Sequence, residues 1–184
     1  MKTSFKFAGA GIALVFAGCA AMDWGTHLAA FKYTPGEQDA VVIVGGGSAT
    51  TCVGNPTGVR ILEEGERSHF YVKGITGFNS PMDTSLYKDH QGVLTAMRLE
   101  PGSYYAVLWP FNGMIEPIKP PHFQFTVAAG EVIYLGELYL GNGCDLNNRV
   151  TVRDEFDRDM ALLKAQNPGL AKASIQKRVP AIPQ

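Results

Sequence analysis

The sequence has little charge and no excess of either sign. Charged residues make up 18% of its 184 residues, and the formal net charge is −1 at pH 7. Domains that bind nucleic acid need a basic surface, so we expect no nucleic-acid partner for this chain. A hydrophobic content of 46%, with 10% aromatic residues, instead predicts one folded domain with a sizeable core.

The first part of the chain lacks an apolar run long enough to cross a membrane. Residues 7–16 form an apolar stretch of about ten residues, whereas a membrane-spanning helix needs roughly 20. Lys2 and Lys6 give the chain a positive start just before this stretch. A short apolar segment behind a positive start is typical of an export signal, so we predict secretion across the cytoplasmic membrane.

The end of this apolar stretch, Phe16-Ala17-Gly18-Cys19, resembles the lipobox of bacterial lipoproteins, although Phe16 stands where Leu is usual. The resemblance implies cleavage after residue 18 and acylation of the Cys19 thiol by fatty acids such as palmitate. Stable anchoring takes more than one acyl chain. Ala20 replaces the Asp that favours inner-membrane retention, which implies the outer membrane. The alternative is an ordinary signal peptide that is cut at Ala17 or in Ala20–Ala21.

Cysteine is scarce, with three residues in the chain. With Cys19 assigned to the signal, Cys52 and Cys144 remain, and an isolated pair in the oxidising periplasm predicts a disulfide. The alternatives are two free thiols or a metal site, which needs further ligands. The histidines are scattered without ligand spacing: His27, His69, His90 and His122. We therefore predict neither a metal nor a cofactor.

The body of the chain, from about residue 39, has the pattern of β-strands separated by turns. Residues 93–111 alternate on either side of Pro101-Gly102, which predicts a type II turn and a β-hairpin. Residues 123–140 repeat this arrangement around Ala129-Gly130, which predicts a second hairpin. The return strand, 132–140, is apolar on both faces except at Glu137, as expected for a central strand.

One helix is predicted at 155–166. Asp154 can cap its first turn, and Phe156, Met160 and Leu163 recur at helical spacing on one face. A weaker helical stretch is predicted at 170–177.

These patterns predict a mainly antiparallel β-sandwich closed by a C-terminal helix. A signal peptide occupies 1–18, and a lipidated N-terminus and tether occupy 19–38. The sandwich itself spans 39–153. The helix and tail, 154–184, pack on the same domain.

The glycine run Gly45-Gly46-Gly47 behind a β-branched strand looks like a dinucleotide-binding fingerprint, but its context is wrong. Thr50 stands at the third glycine position, and Pro56 interrupts the helix that should follow. The interval from Gly45 to Glu64 is also too short for a crossover helix and a second strand. The run is better explained as a buried strand that ends in a glycine turn.

Part of the chain, 99–170, resembles a diffuse group of small proteobacterial lipoproteins of unknown function. The resemblance rests on Pro101-Gly102-Ser103-Tyr104-Tyr105, on Ala129-Gly130-Glu131-Val132-Ile133-Tyr134-Leu135-Gly136 and on the closing helix with Asp159, Leu163 and Pro168. The order of turns and strands is similar to prealbumin-like or carboxypeptidase-regulatory-like domains. The resemblance implies a β-sandwich and carries no catalytic residues.

Three functions are compatible with these observations. The first is a lipid-anchored, periplasm-facing module of the cell envelope that is non-catalytic and binds an envelope protein, since no reactive cluster stands out. The second is a periplasmic hydrolase of glycan or peptide that acts through Glu63, Glu64 or Asp83. The third is a small-ligand or lipid-binding sandwich that uses the loop 110–121 and three aromatic residues, which are more simply core residues or cross-strand pairs. They are Tyr104, Tyr105 and Trp109.

Overall fold

Two β-sheets pack face to face in the computed structural model, which describes residues 23–65, 72–78, 85–111 and 117–180. The predicted β-sandwich is confirmed. The strands in these ranges are β1 Asp23–Trp24, β2 Thr26–His27, β3 Ala40–Ser48, β4 Thr57–Glu63, β5 Val72–Phe78, β6 Gln91–Leu99, β7 Gly102–Pro110, β8 His122–Val127, β9 Val132–Leu140, β10 Val150–Arg153 and β11 Ile175–Lys177. The helix α1 is Phe156–Gln166, and 3₁₀ turns lie at Thr50–Cys52 and Leu170–Lys172.

The strand order is β1-β5-β4-β7-β8 in the five-stranded sheet and β10-β9-β3-β6-β2 in the six-stranded sheet, where β11 also pairs with β9. Most neighbours are antiparallel, but β3 and β9 run parallel at the centre of the six-stranded sheet. The predicted central position of 132–140 is thus confirmed. The main core lies between the sheets, and its largest side chains include Phe78, Phe123, Met97, Leu108 and Leu138.

Neither of the two predicted hairpins forms. β6 pairs with β2 and β3, whereas β7 pairs with β4 and β8. In the same way β8 and β9 belong to different sheets. Each turn therefore carries the chain from one sheet to the other. The first is also not a type II turn, because Gly102 does not adopt a positive φ, whereas Gly130 does, at 71°. Alternation identifies a strand and its turn but does not identify the sheet that the strand joins.

The glycine run lies inside β3, which continues beyond Val44 to Ser48. A Cβ atom on Gly46 would lie 2.6 Å from the Phe78 ring of the opposite sheet, and one on Gly47 would collide with Glu137 Oε1. These glycines therefore make room for neighbouring side chains. No α-helix follows the run, as predicted, because the chain turns at Thr50–Cys52 and enters β4. The predicted glycine turn is wrong, because all three glycines lie within the strand.

The disulfide between Cys52 and Cys144 is confirmed, with a Cα–Cα distance of 5.6 Å. It joins the 3₁₀ turn after β3 to the loop after β9. Cys144 holds a left-handed backbone conformation, with φ of 57°.

The segment predicted as a tether, 19–38, joins the sandwich from Asp23 onward. β1 pairs with β5 and β2 pairs with β6, so the segment contributes to both sheets. Leu28 and Phe31 are buried in a second core cluster together with Leu163 of α1. Strands of two residues are too short to show alternation in the sequence. The signal peptide and Cys19 lie outside the described residues.

The C-terminal part contains the predicted helix and one further strand. α1 covers Phe156–Gln166, as predicted, and packs on the outer face of the six-stranded sheet. Where a weaker helix was expected at 170–177, a 3₁₀ turn is followed by β11, which pairs in parallel with the first residues of β9. β11 pairs with the part of β9 that β10 leaves unpaired on that edge. This pairing depends on the tertiary structure, so a local sequence pattern does not predict it. Within the described ranges no helix is both long and apolar enough to cross a membrane.

Candidate functional site

The candidate site is a groove on the outer face of the five-stranded sheet. Inward-pointing residues of β4, β7 and β8, such as Ile61, Leu108 and Phe123, belong to the core, so their neighbours along each strand point outward. Together with the loop 117–120 they enclose a cavity of about 950 Å³. Its described lining consists of Arg60, Leu62, Glu64, Gly65, Tyr105, Val107, Trp109, Pro117, Ile118, Lys119, Pro120, His122 and Gln124.

The groove floor consists of two rows of side chains that run across β4, β7 and β8. Backbone register places Arg60, Val107 and His122 side by side in the first row, and Leu62, Tyr105 and Gln124 in the second. Trp109 extends the floor along β7. The strand pairing fixes the backbone positions of these residues.

The loop 117–120 forms one wall of the groove and is attached to the loop that follows the disulfide. The Lys119 backbone N–H donates to Asn147 Oδ1 at 2.9 Å. The Asn147 backbone N–H in turn donates to Asp145 Oδ1, also at 2.9 Å. Hydrogen bonds from Asn148 and Asn147 hold the pKa of the Asp145 carboxyl below its usual value. Ile118, on this wall, is 88% exposed and is the most exposed large hydrophobic residue of the described chain.

Arg60 places a positive charge in the middle of the groove floor, where no carboxylate of the described residues forms an ion pair with it. Its guanidinium carbon lies 5.0 Å from the centre of the Trp109 ring and 6.0 Å from that of Phe111. Within the described residues Arg60 Nε is buried and has no hydrogen-bond partner. Burial also lowers the pKa of the guanidinium from its usual value. Aromatic faces stabilise a cation, but they do not provide a hydrogen-bond acceptor for the buried Nε–H.

Two further pairs of polar side chains in the groove contact each other. Gln124 Nε2 donates to Glu64 Oε1 at 3.3 Å. The rings of Tyr105 and His122 meet edge to face, with 5.6 Å between their centres. Glu64 is therefore already engaged, and Arg60 is the half-buried cation of the floor.

Of the three aromatic residues considered from the sequence, the structure places Tyr105 and Trp109 in the groove and Tyr104 in the core. Tyr104 is 3% exposed, and its hydroxyl donates to the Glu100 carbonyl at 2.8 Å. Burial raises the pKa of this hydroxyl. Neighbouring residues on a strand face opposite sides, so Tyr104 and Tyr105 could not both line one surface. Sequence analysis also missed Arg60, a lone cation between two buried residues of β4.

The carboxylates considered for hydrolysis have other partners. Glu63 Oε2 lies 3.1 Å from Lys73 Nζ on the neighbouring strand β5, and Glu64 accepts the hydrogen bond from Gln124. Asp83 lies outside the described residues.

A second cluster of polar residues is buried beneath α1, on the outer face of the six-stranded sheet. It contains His90, Glu137 and Asp159, which are 4%, 0% and 0% exposed. A bulge in β9 brings Glu137 there. Gly136, with φ of 86°, is the extra residue between the pairs that Tyr134 and Glu137 form with β3. Such a bulge moves the following side chains to the other face, so Glu137 joins Tyr134 beneath the helix.

Asp159 is the acceptor at the centre of this cluster. It accepts hydrogen bonds from Tyr134 Oη at 2.6 Å, from Tyr87 Oη at 3.3 Å and from Arg158 Nε at 2.8 Å. Burial raises the pKa of Tyr87 and Tyr134 well above the usual range, and the Asp159 charge adds to this shift. Both tyrosines are therefore donors, and they hold α1 on the sheet.

Glu137 is the second carboxylate of the cluster. Its Oε1 lies 2.7 Å from His90 Nε2, and His90 Nδ1 lies 2.8 Å from Asp89 Oδ1. Glu137 Oε2 forms an ion pair with Arg158 Nη2 at 3.5 Å, without a hydrogen bond. Burial raises the pKa of Glu137, although the hydrogen bond with His90 opposes this shift. His90, Glu137 and Asp159 are almost completely buried, so these three side chains present no open surface to a substrate.

The groups needed for a metal centre do not converge in the described part of the chain. There, no three His, Cys, Asp or Glu side chains are arranged to hold a metal ion.

The sequence matches no protein-family model and is not significantly similar to any curated protein. The resemblance to small lipoproteins and to prealbumin-like domains stays a prediction, and the groove provides the basis for a function.

Proposed function

We propose that this chain is a lipid-anchored protein of the cell envelope whose β-sandwich is a non-catalytic binding module. Its binding site is the groove on the outer face of the five-stranded sheet. The observation that carries the proposal is a cavity of about 950 Å³ in which Arg60 has aromatic neighbours but no anionic partner among the described residues. Ligand sites typically have about 300–1,000 Å³ and combine apolar walls with a few polar groups.

The composition of the groove favours binding over hydrolysis. Its described lining has no serine, threonine or cysteine, and Glu64 is its one carboxylate. Glycoside hydrolysis needs a pair of carboxyl groups, and covalent hydrolysis needs a nucleophile activated by a base. The buried groups His90, Glu137 and Asp159 are enclosed beneath α1, away from this groove.

The proposed location in the cell envelope is supported by the disulfide and by the export signal. Disulfides persist in oxidising compartments such as the periplasm. The first described strand begins at Asp23, soon after Cys19, so the sandwich would lie close to the membrane. Radiolabelled palmitate should enter the wild-type protein and not the Cys19→Ala variant. Equal labelling of both, or labelling of neither, would contradict the anchor.

The groove is tested by fluorescence titration of a Trp24→Phe background, which leaves Trp109 as the one tryptophan, since the chain has two. The probes are pyrene-1-butanol and pyrene-1-butyrate, which share one apolar body. We expect saturable quenching of Trp109 emission by at least one of them, and loss of this quenching in Gln124→Phe, which fills the groove floor.

The matched control is Thr126→Phe, an exposed position two residues further along β8 that does not line the groove. It should bind the probes as the background does. Absence of saturable quenching by both probes, or equal binding in the Gln124→Phe variant, would overturn the groove as a binding site.

A further inference from the structure

We infer that the groove takes an apolar molecule that carries one carboxylate, with Arg60 as the group that binds the carboxylate; this inference rests on the proposed function. The first step is the state of Arg60. Its Nε is buried and without a hydrogen-bond partner in the described structure, and leaving such a donor unsatisfied is unfavourable. A planar guanidinium matches a carboxylate with two parallel hydrogen bonds. Arg60 lines the groove, so an anion that reached its guanidinium from the groove would provide the missing acceptor.

The charge of the lining selects the kind of anion. The described lining carries two cations, Arg60 and Lys119, and one carboxylate, Glu64. The formal charges of these three groups sum to one positive charge. A single carboxylate balances this excess, whereas a dianionic phosphate would exceed it. Phosphate ligands usually meet several basic groups, which the described lining does not supply.

The remaining lining selects the rest of the ligand. Around Arg60 the groove presents the Trp109 ring, the Val107 side chain and the wall with Pro117 and Ile118. Ile118 is 88% exposed and adds apolar surface to the wall. An apolar body that fills the groove would cover Ile118 and lie against Trp109. The carboxylate would then lie in the middle of the floor, next to the Arg60 guanidinium.

The experiment compares pyrene-1-butyrate with pyrene-1-butanol, which differ in the carboxylate alone, on the Trp24→Phe background. We expect the acid to bind roughly 10- to 100-fold more tightly than the alcohol, the range of a charge-assisted hydrogen bond. In the Arg60→Met variant this preference should disappear, so that the acid and the alcohol bind this variant with equal affinity. The Arg60→Lys variant should retain part of the preference, because it keeps the charge and loses the paired donors.

Arg153→Met is the control for the loss of an arginine that contacts an aromatic ring. Arg153 lies over Tyr139 on the other sheet, so its replacement should leave the preference for the acid unchanged. Circular dichroism and thermal unfolding show whether each variant is folded.

The outcomes separate the ligand class from the groove itself. Equal affinity for acid and alcohol, both lost in Gln124→Phe, would overturn the carboxylate inference and leave the groove as a binding site. Tighter binding of dodecyl phosphate than of dodecanoate, in competition with the bound pyrene probe, would also overturn it. Failure of both pyrene probes to bind would overturn the proposed function together with the inference.

Discussion

Asp159 shows how much depends on one buried side chain. A fully buried carboxylate is unfavourable unless donors surround it, and Asp159 has Tyr87, Tyr134 and Arg158 in that role. Burial lowers the pKa of Arg158, but the hydrogen bond to Asp159 and the interactions with Tyr87, Asp159 and Glu137 together raise it above its usual range. These contacts connect α1 to β9 and to the segment before β6.

The replacement of Asp159 by Asn should therefore destabilise the protein strongly. The amide keeps the volume but leaves the Arg158 charge without its nearest partner. We expect a loss of about 3–5 kcal/mol in the free energy of unfolding, as for other broken buried pairs. Urea denaturation followed by circular dichroism measures it. The control is Asp157→Asn, an exposed position on the same helix, which should change stability by less than about 0.5 kcal/mol. Similar effects of the two substitutions would contradict the role of the cluster.

At the scale of elements, the sequence predicts strands and the helix better than their pairing. The helix was predicted to within one residue, since a 3.6-residue period is a local signal. Asp154 does not occupy the N-cap position, which is Glu155, but it accepts a hydrogen bond from the Phe156 N–H at 3.4 Å. The two hairpins were wrong, because the same turn residues serve a connection within one sheet or between two. The bulge at Gly136 also escaped prediction, although it alone places Glu137 beneath α1. Such register shifts depend on the partner strand β3, which is distant in sequence.

The candidate site was predicted in part for the same reason. Alternation along β7 identifies Tyr105 and Trp109 as residues of one face, but it cannot tell whether that face is covered. The role of Arg60 depends on the pairing of β4 with β7, which brings the guanidinium beside Trp109. A cation flanked by Val59 and Ile61 in the sequence is an ordinary pattern for a strand with one exposed face.

The attachment of the C-terminal segment should depend on pH through Glu131. Its Oε1 lies 2.6 Å from Arg178 Nη2, just beyond β11, and its Oε2 accepts from the Ala128 N–H at 2.8 Å. The Ala128 hydrogen bond and the Arg178 guanidinium lower the pKa of Glu131 from 4.5. A lowered pKa contributes stability that is present above the unfolded value and lost as the pH falls through the folded value.

We therefore expect Glu131→Gln to be less stable than the wild type near pH 6, with a difference that shrinks as the pH falls towards about 3. Urea denaturation of both proteins across this pH range gives the difference at each point. A difference that is constant, or that grows in acid, would show that the Glu131 charge does not stabilise the fold.

At the scale of the whole molecule, the two outer faces of the sandwich differ. The outer face of the six-stranded sheet is covered by α1 and by the segment with Leu28 and Phe31, which form their own core cluster. The outer face of the five-stranded sheet keeps a groove of about 950 Å³. The polar cluster under α1 thus closes one face, and the groove leaves the other open to a ligand.

The disulfide connects the stability of the sandwich to the shape of the groove. Cys52 and Cys144 are separated by 92 residues, and a closed loop of this length stabilises a protein by about 4–5 kcal/mol in the chain-entropy model. The residues that follow Cys144 also hold the groove wall, through Asp145, Asn147 and the Lys119 N–H. Removal of the disulfide should therefore affect both properties.

The double variant Cys52→Ser/Cys144→Ser should lose about 4–5 kcal/mol in the free energy of unfolding and bind pyrene-1-butyrate more weakly, because the wall at 117–120 is less firmly held. Asn147→Ala separates the two effects, since it removes the hydrogen bond to Lys119 and keeps the disulfide. It should weaken probe binding with a stability loss of no more than about 1.5 kcal/mol. Urea denaturation and Trp109 quenching measure the two quantities on the same samples. Wild-type affinity in the double variant, under conditions in which it is folded, would show that the disulfide does not shape the groove.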